Sequence, residues 1–165
     1  MDNEQPDSPH LNFTARSDIP AALDRLMGMA QRTLRVFDYD LADCGYERPV
    51  RIELLRQFLR GSRHRRLLIV VHDTRYLTTR SPRLFDLWRQ FPEAIEIRCT
   101  LPEAKSASDA FVLADDRAYW HRHHRDHPAA DLATDDSATL RGLLLRFDQL
   151  WEASEPSVGP TLLGL

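Results

Sequence analysis

Lysine is almost missing from this chain: of its 22 basic residues, all but Lys105 are arginine. Arginine suits bidentate contacts to phosphate, although the codon bias of a GC-rich genome is the plainer source of the preference. Glycine is also scarce, six in 165 residues, and none of them builds a phosphate loop or dinucleotide fingerprint. GxSxG and HExxH are absent as well, so neither a motif-borne catalytic class nor a cofactor is implied. The two cysteines, Cys44 and Cys99, lie far apart without a CxxC or zinc pattern. They fit a reduced compartment and leave a single disulfide open. No apolar run approaches the roughly 20 residues that span a bilayer, and the polar, acidic start MDNEQPDSPH is unlike a secretory signal. The expectation is a cytoplasmic protein with no membrane partner. A net charge of -3 gives no global attraction to nucleic acid.

The remaining composition is that of a globular domain, with 42% apolar and 28% charged residues. Residues 1–12 read as a flexible arm, residues 13–154 as one α/β domain, and residues 155–165 as a tail whose Leu162, Leu163 and Leu165 are apolar enough to dock. Ser17 or Asp18 caps a helix with Pro20 in its first turn, and Thr33 to Asp40 alternates as a strand. Pro49 to Leu59 shows a helical stripe ended by Gly61. Leu67 to Val71 (LLIVV) is an apolar run that marks a strand buried on both faces. A helix over Pro82 to Phe91 and a strand over Ala94 to Leu101 follow. Asp109 to Ala114 and Ala118 to His123 make a hairpin around Asp115 and Asp116, and Ser137 to Ala153 closes the chain as a long amphipathic helix. The order α-β-α-β-α-β-β-β-α predicts a mixed β-sheet flanked by helices.

Three constellations carry chemistry. Asp38, Asp40 and Asp73 stand at the ends of the first two strands beside His72, and with Arg98 they can share the crevice where open α/β sheets collect ligands. The plainer reading is that such acids cap the following loops. The run from His121 to His127 places His121 and His123 on one side of a strand, a usable ligand spacing. The interleaved arginines oppose a dication, so a solvated hairpin end is the expectation and no metal is implied. Arg56, Arg60, Arg63, Arg65 and Arg66 form the densest basic cluster, either a helix-end charge arrangement or a sequence-independent nucleic-acid patch without the aromatics that stack bases.

The element order, the apolar strand ending in Asp115 and the closing helix ending FDQLWEAS together resemble a half-unit of the phospholipase D-like superfamily. More narrowly, the chain looks like the small bacterial domains of uncharacterised function on that fold, and the likeness runs from about Thr33 to Ser154. The resemblance implies the motif HxKxxxxD, whose histidine attacks phosphorus while the lysine holds the phosphoryl oxygens. With Asp115 as the aspartate, Ser108 stands for the histidine and Ala110 for the lysine. Serine without a base is a poor nucleophile and alanine carries no charge. The resemblance therefore implies the fold without its usual catalysis, and a homodimer across the face bearing Asp115, since such sites are built from two halves. Asp38, Asp40, Asp73, Arg98, Asp115, His121 and His123 are expected to line the former cleft, with phosphoryl chemistry replaced by binding of a phosphate-bearing ligand. A divergent phosphodiesterase or nuclease using His72, His121 or His123 is the rival expectation.

Overall fold

Strand alternation and helical stripes in this chain assemble into one eight-stranded sheet, described by a computed structural model over residues 10–157 and 159. In chain order the elements are β1 (His10–Phe13), α1 (Ile19–Met29), β2 (Thr33–Asp38), α2 (Pro49–Arg60), β3 (Arg66–Val71), α3 (Arg75–Arg80), α4 (Pro82–Gln90), β4 (Ile95–Thr100), β5 (Ala110–Ala114), β6 (Ala118–Arg122), β7 (Ala130–Ala133), α5 (Ser137–Glu152) and β8 (Ser154–Pro156). The sheet order is β1-β7-β6-β5-β2-β3-β4-β8. Strands β2, β3 and β4 are parallel, as short helical crossovers require, and the other pairings are antiparallel.

The period-2 alternation divides the core between the two faces of the sheet. Leu34, Val36, Leu67, Ile69, Val71, Ala110 and Val112 pack with the stripes of α1, α2 and α4. Phe37, Val70, Phe111, Leu113 and Tyr119 turn the other way and meet Leu140, Leu143, Phe147 and Leu150 of α5. On that face α5 lies over β5, β4 and β8. The β6-β7-β1 end of that face carries the half-buried or exposed His121, His123, Asp131, Asn12 and His10.

Differences from the sequence reading have local causes. The expected arm enters the sheet at its inner end, where His10–Phe13 pairs with β7. The first tail residues form β8 against β4, with Pro156 tolerated because the strand is an edge. Leu162, Leu163 and Leu165 lie outside the described residues. Gly61 ends α2 without a left-handed turn, at φ -63°. Arg65 supports that end by donating to the Phe58 carbonyl at 3.0 Å. Arg51 lies in the predicted helix, outside its apolar stripe, yet is wholly buried: its guanidinium reaches Asp24 at 2.5 Å and the Cys44 and Pro20 carbonyls at 3.2 and 3.0 Å. It thereby fastens α1, α2 and the loop after β2 to each other.

Candidate functional site

Asp115 closes the β5-β6 turn in the left-handed region, at φ 55°, which aspartate tolerates better than most residues. Its carboxylate accepts the backbone N–H groups of Arg32 and Thr33, both at 2.8 Å, and of Gln31 at 2.9 Å. Burial pushes this carboxyl up, and the bonds from Thr33, Gln31 and Arg32 outweigh it, so it sits below the usual carboxylate range. Asp115 is therefore a clasp on the chain leading into β2. The expectation that it lines a cleft with Asp38 fails on topology: β5 runs antiparallel to β2, so Asp115 lies at the start of β2 and Asp38 at its far end. Five residue steps of about 3.3 Å separate these two ends.

The other end of the sheet holds positions 108 and 110. Ala110 is buried and faces the α1 side, while Ser108 lies two residues before the strand begins. Directly opposite Ala110 stands Arg122, and paired residues share a face. Arg122 is buried too; its guanidinium donates to the His127 carbonyl at 2.7 Å and to the Arg125 carbonyl, and lies 3.7 Å from Asp43. A buried arginine of the neighbouring strand is thus the cross-strand partner of the position that the resemblance aligns with the motif's lysine. The solvated hairpin end holds for His123, Asp126 and His127, and not for Arg122.

Asp38 belongs to this same face. One carboxylate oxygen accepts the Tyr39 N–H at 2.7 Å, while Oδ2 is buried without a partner. Burial raises its pKa to about 7, with Asp40 and Asp43 adding repulsion against the Tyr39 bond and Arg122. Asp40 accepts the Ala42 N–H at 3.0 Å and shapes the loop. Asp73 is tied to Arg75, whose hydrogen bonds hold its carboxyl below the usual range. Arg98 donates to the Ser154 hydroxyl at 2.9 Å and the Ser154 carbonyl at 2.7 Å, and its guanidinium lies over Trp151. It secures β8 and the end of α5. Asp40, Asp73 and Arg98 therefore each bond to their own loop or strand end.

The histidines occupy the opposite, α5-side face. His121 Nε2 is 2.8 Å from Asp109, His123 Nε2 is 2.6 Å from Asp131, and the two rings meet edge to face with centroids 4.5 Å apart. Arg146 of α5 grips both Asp109 oxygens at 2.5 Å. Burial works against ionisation of Asp109, but His121 and Arg146 overcome it and its pKa is lowered. His72 bridges Thr100 Oγ1 at 2.7 Å and the Ala107 carbonyl at 2.6 Å. A carbonyl only accepts, so Nε2 carries the proton and Nδ1 accepts the Thr100 hydroxyl; burial, which lowers its pKa, keeps the ring neutral. Beside Arg146 a hollow of about 400 Å³ is lined by Ala104, Ser106, Ala107, Arg146, Gln149 and Leu150. Among the described residues no three His, Cys, Asp or Glu side chains form a metal-holding group.

Sequence reasoning missed Asp109, Asp131, Arg122 and Arg146. The hairpin gave one signal: pairing Ala114 with Ala118 extends to place Asp109 near His121 and His123. The basic cluster is partly consumed by structure. Arg65 and Arg66 donate to backbone carbonyls, and Arg56 pairs with Glu53, while Arg60 and Arg63 stay exposed.

Residues 15–159 match the family model described as "Domain of unknown function (DUF7931)". The chain belongs to this family. Comparison with curated proteins returns no match. Among solved structures, Nuc of Salmonella typhimurium, a phospholipase D family member, aligns with a TM-score of 0.62 at 13% identity, over 90% of this chain and 97% of that one. NucT of Helicobacter pylori aligns at 0.57 and 11% identity, over 90% and 98%. TrmBL2, an archaeal chromatin protein with a novel mode of DNA binding, aligns at 0.67 and 10% identity over 94% of this chain, which spans 57% of that protein's length. These likenesses establish a phospholipase D-like fold for the DUF7931 chain, as the element order implied.

Proposed function

We propose that this DUF7931 domain is a non-catalytic phospholipase D-like binding module that acts as a homodimer and takes a phosphate-bearing ligand on its α5-side face. The observation that carries the reading is Arg122, whose buried guanidinium stands opposite Ala110 on the face where the motif's histidine and lysine would act. His121 and His123 lie on the other face of the sheet, the face of Phe111. The ligand surface in this proposal is the hollow beside Arg146 together with His121 and His123. The dimer contact moves with it: Asp115 serves the opposite end of the sheet, so the partner copy covers the β6-β7-β1 end that α5 leaves open.

The test combines turnover and binding. Purified protein is assayed on a phosphodiester substrate, its mass in solution is measured by light scattering, and inorganic phosphate is titrated by NMR. The expected result is no turnover, a dimer, and shifts confined to His121, His123 and the hollow. Turnover abolished by His121→Ala, with the fold retained, would overturn the reading and establish the second one. That second reading, a divergent phosphodiesterase, is favoured by the 2.8 Å His121–Asp109 pair, since a histidine oriented by a carboxylate is the arrangement general-base and nucleophilic chemistry use. His72, the other histidine of this reading, has both ring nitrogens hydrogen-bonded.

A third reading, nucleic-acid binding, rests on exposed Arg60 and Arg63 and on the DNA-binding character of TrmBL2. It requires affinity that falls steeply with salt; binding absent at low salt removes it.

A further inference from the structure

Lys105, the single lysine of the chain, lies in the loop between β4 and β5 and donates Nζ to the His72 carbonyl at 2.6 Å. The Cys99 thiol donates to the same carbonyl at 3.4 Å, and Nζ stands 3.8 Å from Sγ. One backbone oxygen therefore holds a nucleophilic sulfur and a primary amine side by side. Cys99 is half-buried and Lys105 exposed, so a small oxidant reaches them. Cys44 is the contrast within the same chain: it is buried, and burial pushes its thiol well above the usual range. The binding role proposed above uses neither Cys99 nor Lys105, and the two ideas stand separately.

We propose that Cys99 and Lys105 are a peroxide-responsive pair that closes to a reversible sulfenamide cross-link. The Cys99 thiolate attacks one oxygen of hydrogen peroxide: an S–O bond forms, the O–O bond breaks and hydroxide leaves, giving sulfenic acid. Sulfur loses the two electrons that the peroxide gains. The neutral amine of Lys105 then attacks Sγ; an S–N bond forms, the S–O bond breaks, and the oxygen departs as water with a proton from nitrogen. One peroxide is consumed and two waters are released in total. Excess thiol reverses the bond by attacking sulfur and returning the amine. The link ties the end of β4 to the loop that supplies Ala104, Ser106 and Ala107 to the hollow beside Arg146, and so fixes one wall of it.

Full-length protein, Lys105→Arg and Cys99→Ser are treated with limiting hydrogen peroxide at mildly alkaline pH, with and without dimedone, and mapped by peptide mass. Arginine preserves the positive charge and hydrogen-bonding reach, but a guanidinium that stays protonated is not a nucleophile. The expected product joins the Cys99 and Lys105 peptides with the loss of two hydrogens and is split by dithiothreitol. Dimedone labelling of Cys99 is expected to rise several-fold in Lys105→Arg, where the sulfenic acid has no amine to meet. Equal labelling in the two proteins, or Cys99 ending as sulfinic acid or an intermolecular disulfide with no Lys105 adduct, overturns the proposal.

Discussion

The two ends of the central sheet treat the same sequence motif in opposite ways. At one end Asp115 keeps its motif position and spends its carboxylate on the Gln31, Arg32 and Thr33 amides. At the other end the alignment that the resemblance implies puts Ser108 and Ala110 at the histidine and lysine positions, and the buried Arg122 pairs with Ala110 across the strands. The contrast separates what the motif contributes to folding from what it contributes to chemistry. An aspartate that ties the β5-β6 turn to the chain entering β2 is needed wherever those strands are paired, whether or not phosphorus is ever attacked. In the proposed binding role the aspartate keeps this structural duty with no histidine or lysine beside it.

The contrast breaks most visibly if the clasp is removed. Asp115→Ala leaves three backbone donors without their acceptor, and a loss of about 3 kcal/mol in urea unfolding is expected. A loss below about 0.5 kcal/mol would mean that the clasp does not hold the sheet. The sign of its pH dependence follows from the lowered pKa: Asp115 stabilises the fold above the unfolded carboxylate range, and that contribution is lost as pH falls through the folded value.

Asp38 behaves in the opposite sense. Its folded pKa is raised to about 7, so its contribution is fully present below the unfolded value and is lost as pH rises toward 7. Asp38→Asn is therefore expected to unfold at higher urea than wild type near pH 8, by on the order of 2 kcal/mol, and to show no advantage near pH 4. An equal advantage at both pH values would contradict a buried, protonatable carboxyl at this end of the sheet.

A smaller effect belongs to the α5-side face. Arg146→Ala frees Asp109 from its fork, and because Arg146 is 38% exposed the loss is expected at roughly 1 to 2 kcal/mol. The same change should raise the pKa of Asp109, which NMR titration of its carboxyl carbon reads directly. An unshifted Asp109 titration would mean that Arg146 does not hold this carboxylate.

How much of this was readable beforehand follows from what each element depends on. LLIVV, the Asp115-Asp116 hairpin and the α5 stripe are local patterns, and β3, the β5-β6 turn and α5 form where they predict. Strands β1, β7 and β8 have no such signal: each is four residues or fewer and exists because a neighbouring strand offers its free edge. The site was harder for the same reason. Placing Asp115 apart from Asp38 requires knowing that β5 pairs antiparallel with β2, a long-range choice no local spacing records. The burial of Arg51 and Arg122 depends on which carbonyls the surrounding loops turn inward, and arginine is otherwise a surface residue. The i, i+2 spacing of His121 and His123 did place their rings together, while leaving open which face they share.

The most direct test of the contrast is a double-mutant cycle on Ala110→Lys and Arg122→Ala, followed by urea unfolding. If Arg122 occupies the space the motif's lysine would use, the Ala110→Lys change is poorly tolerated beside the buried guanidinium and better tolerated once that group is gone. The cycle should then show a favourable coupling of on the order of 1 kcal/mol. Additive effects of the two changes would mean that Arg122 does not fill that space, and would contradict the account of a silent site.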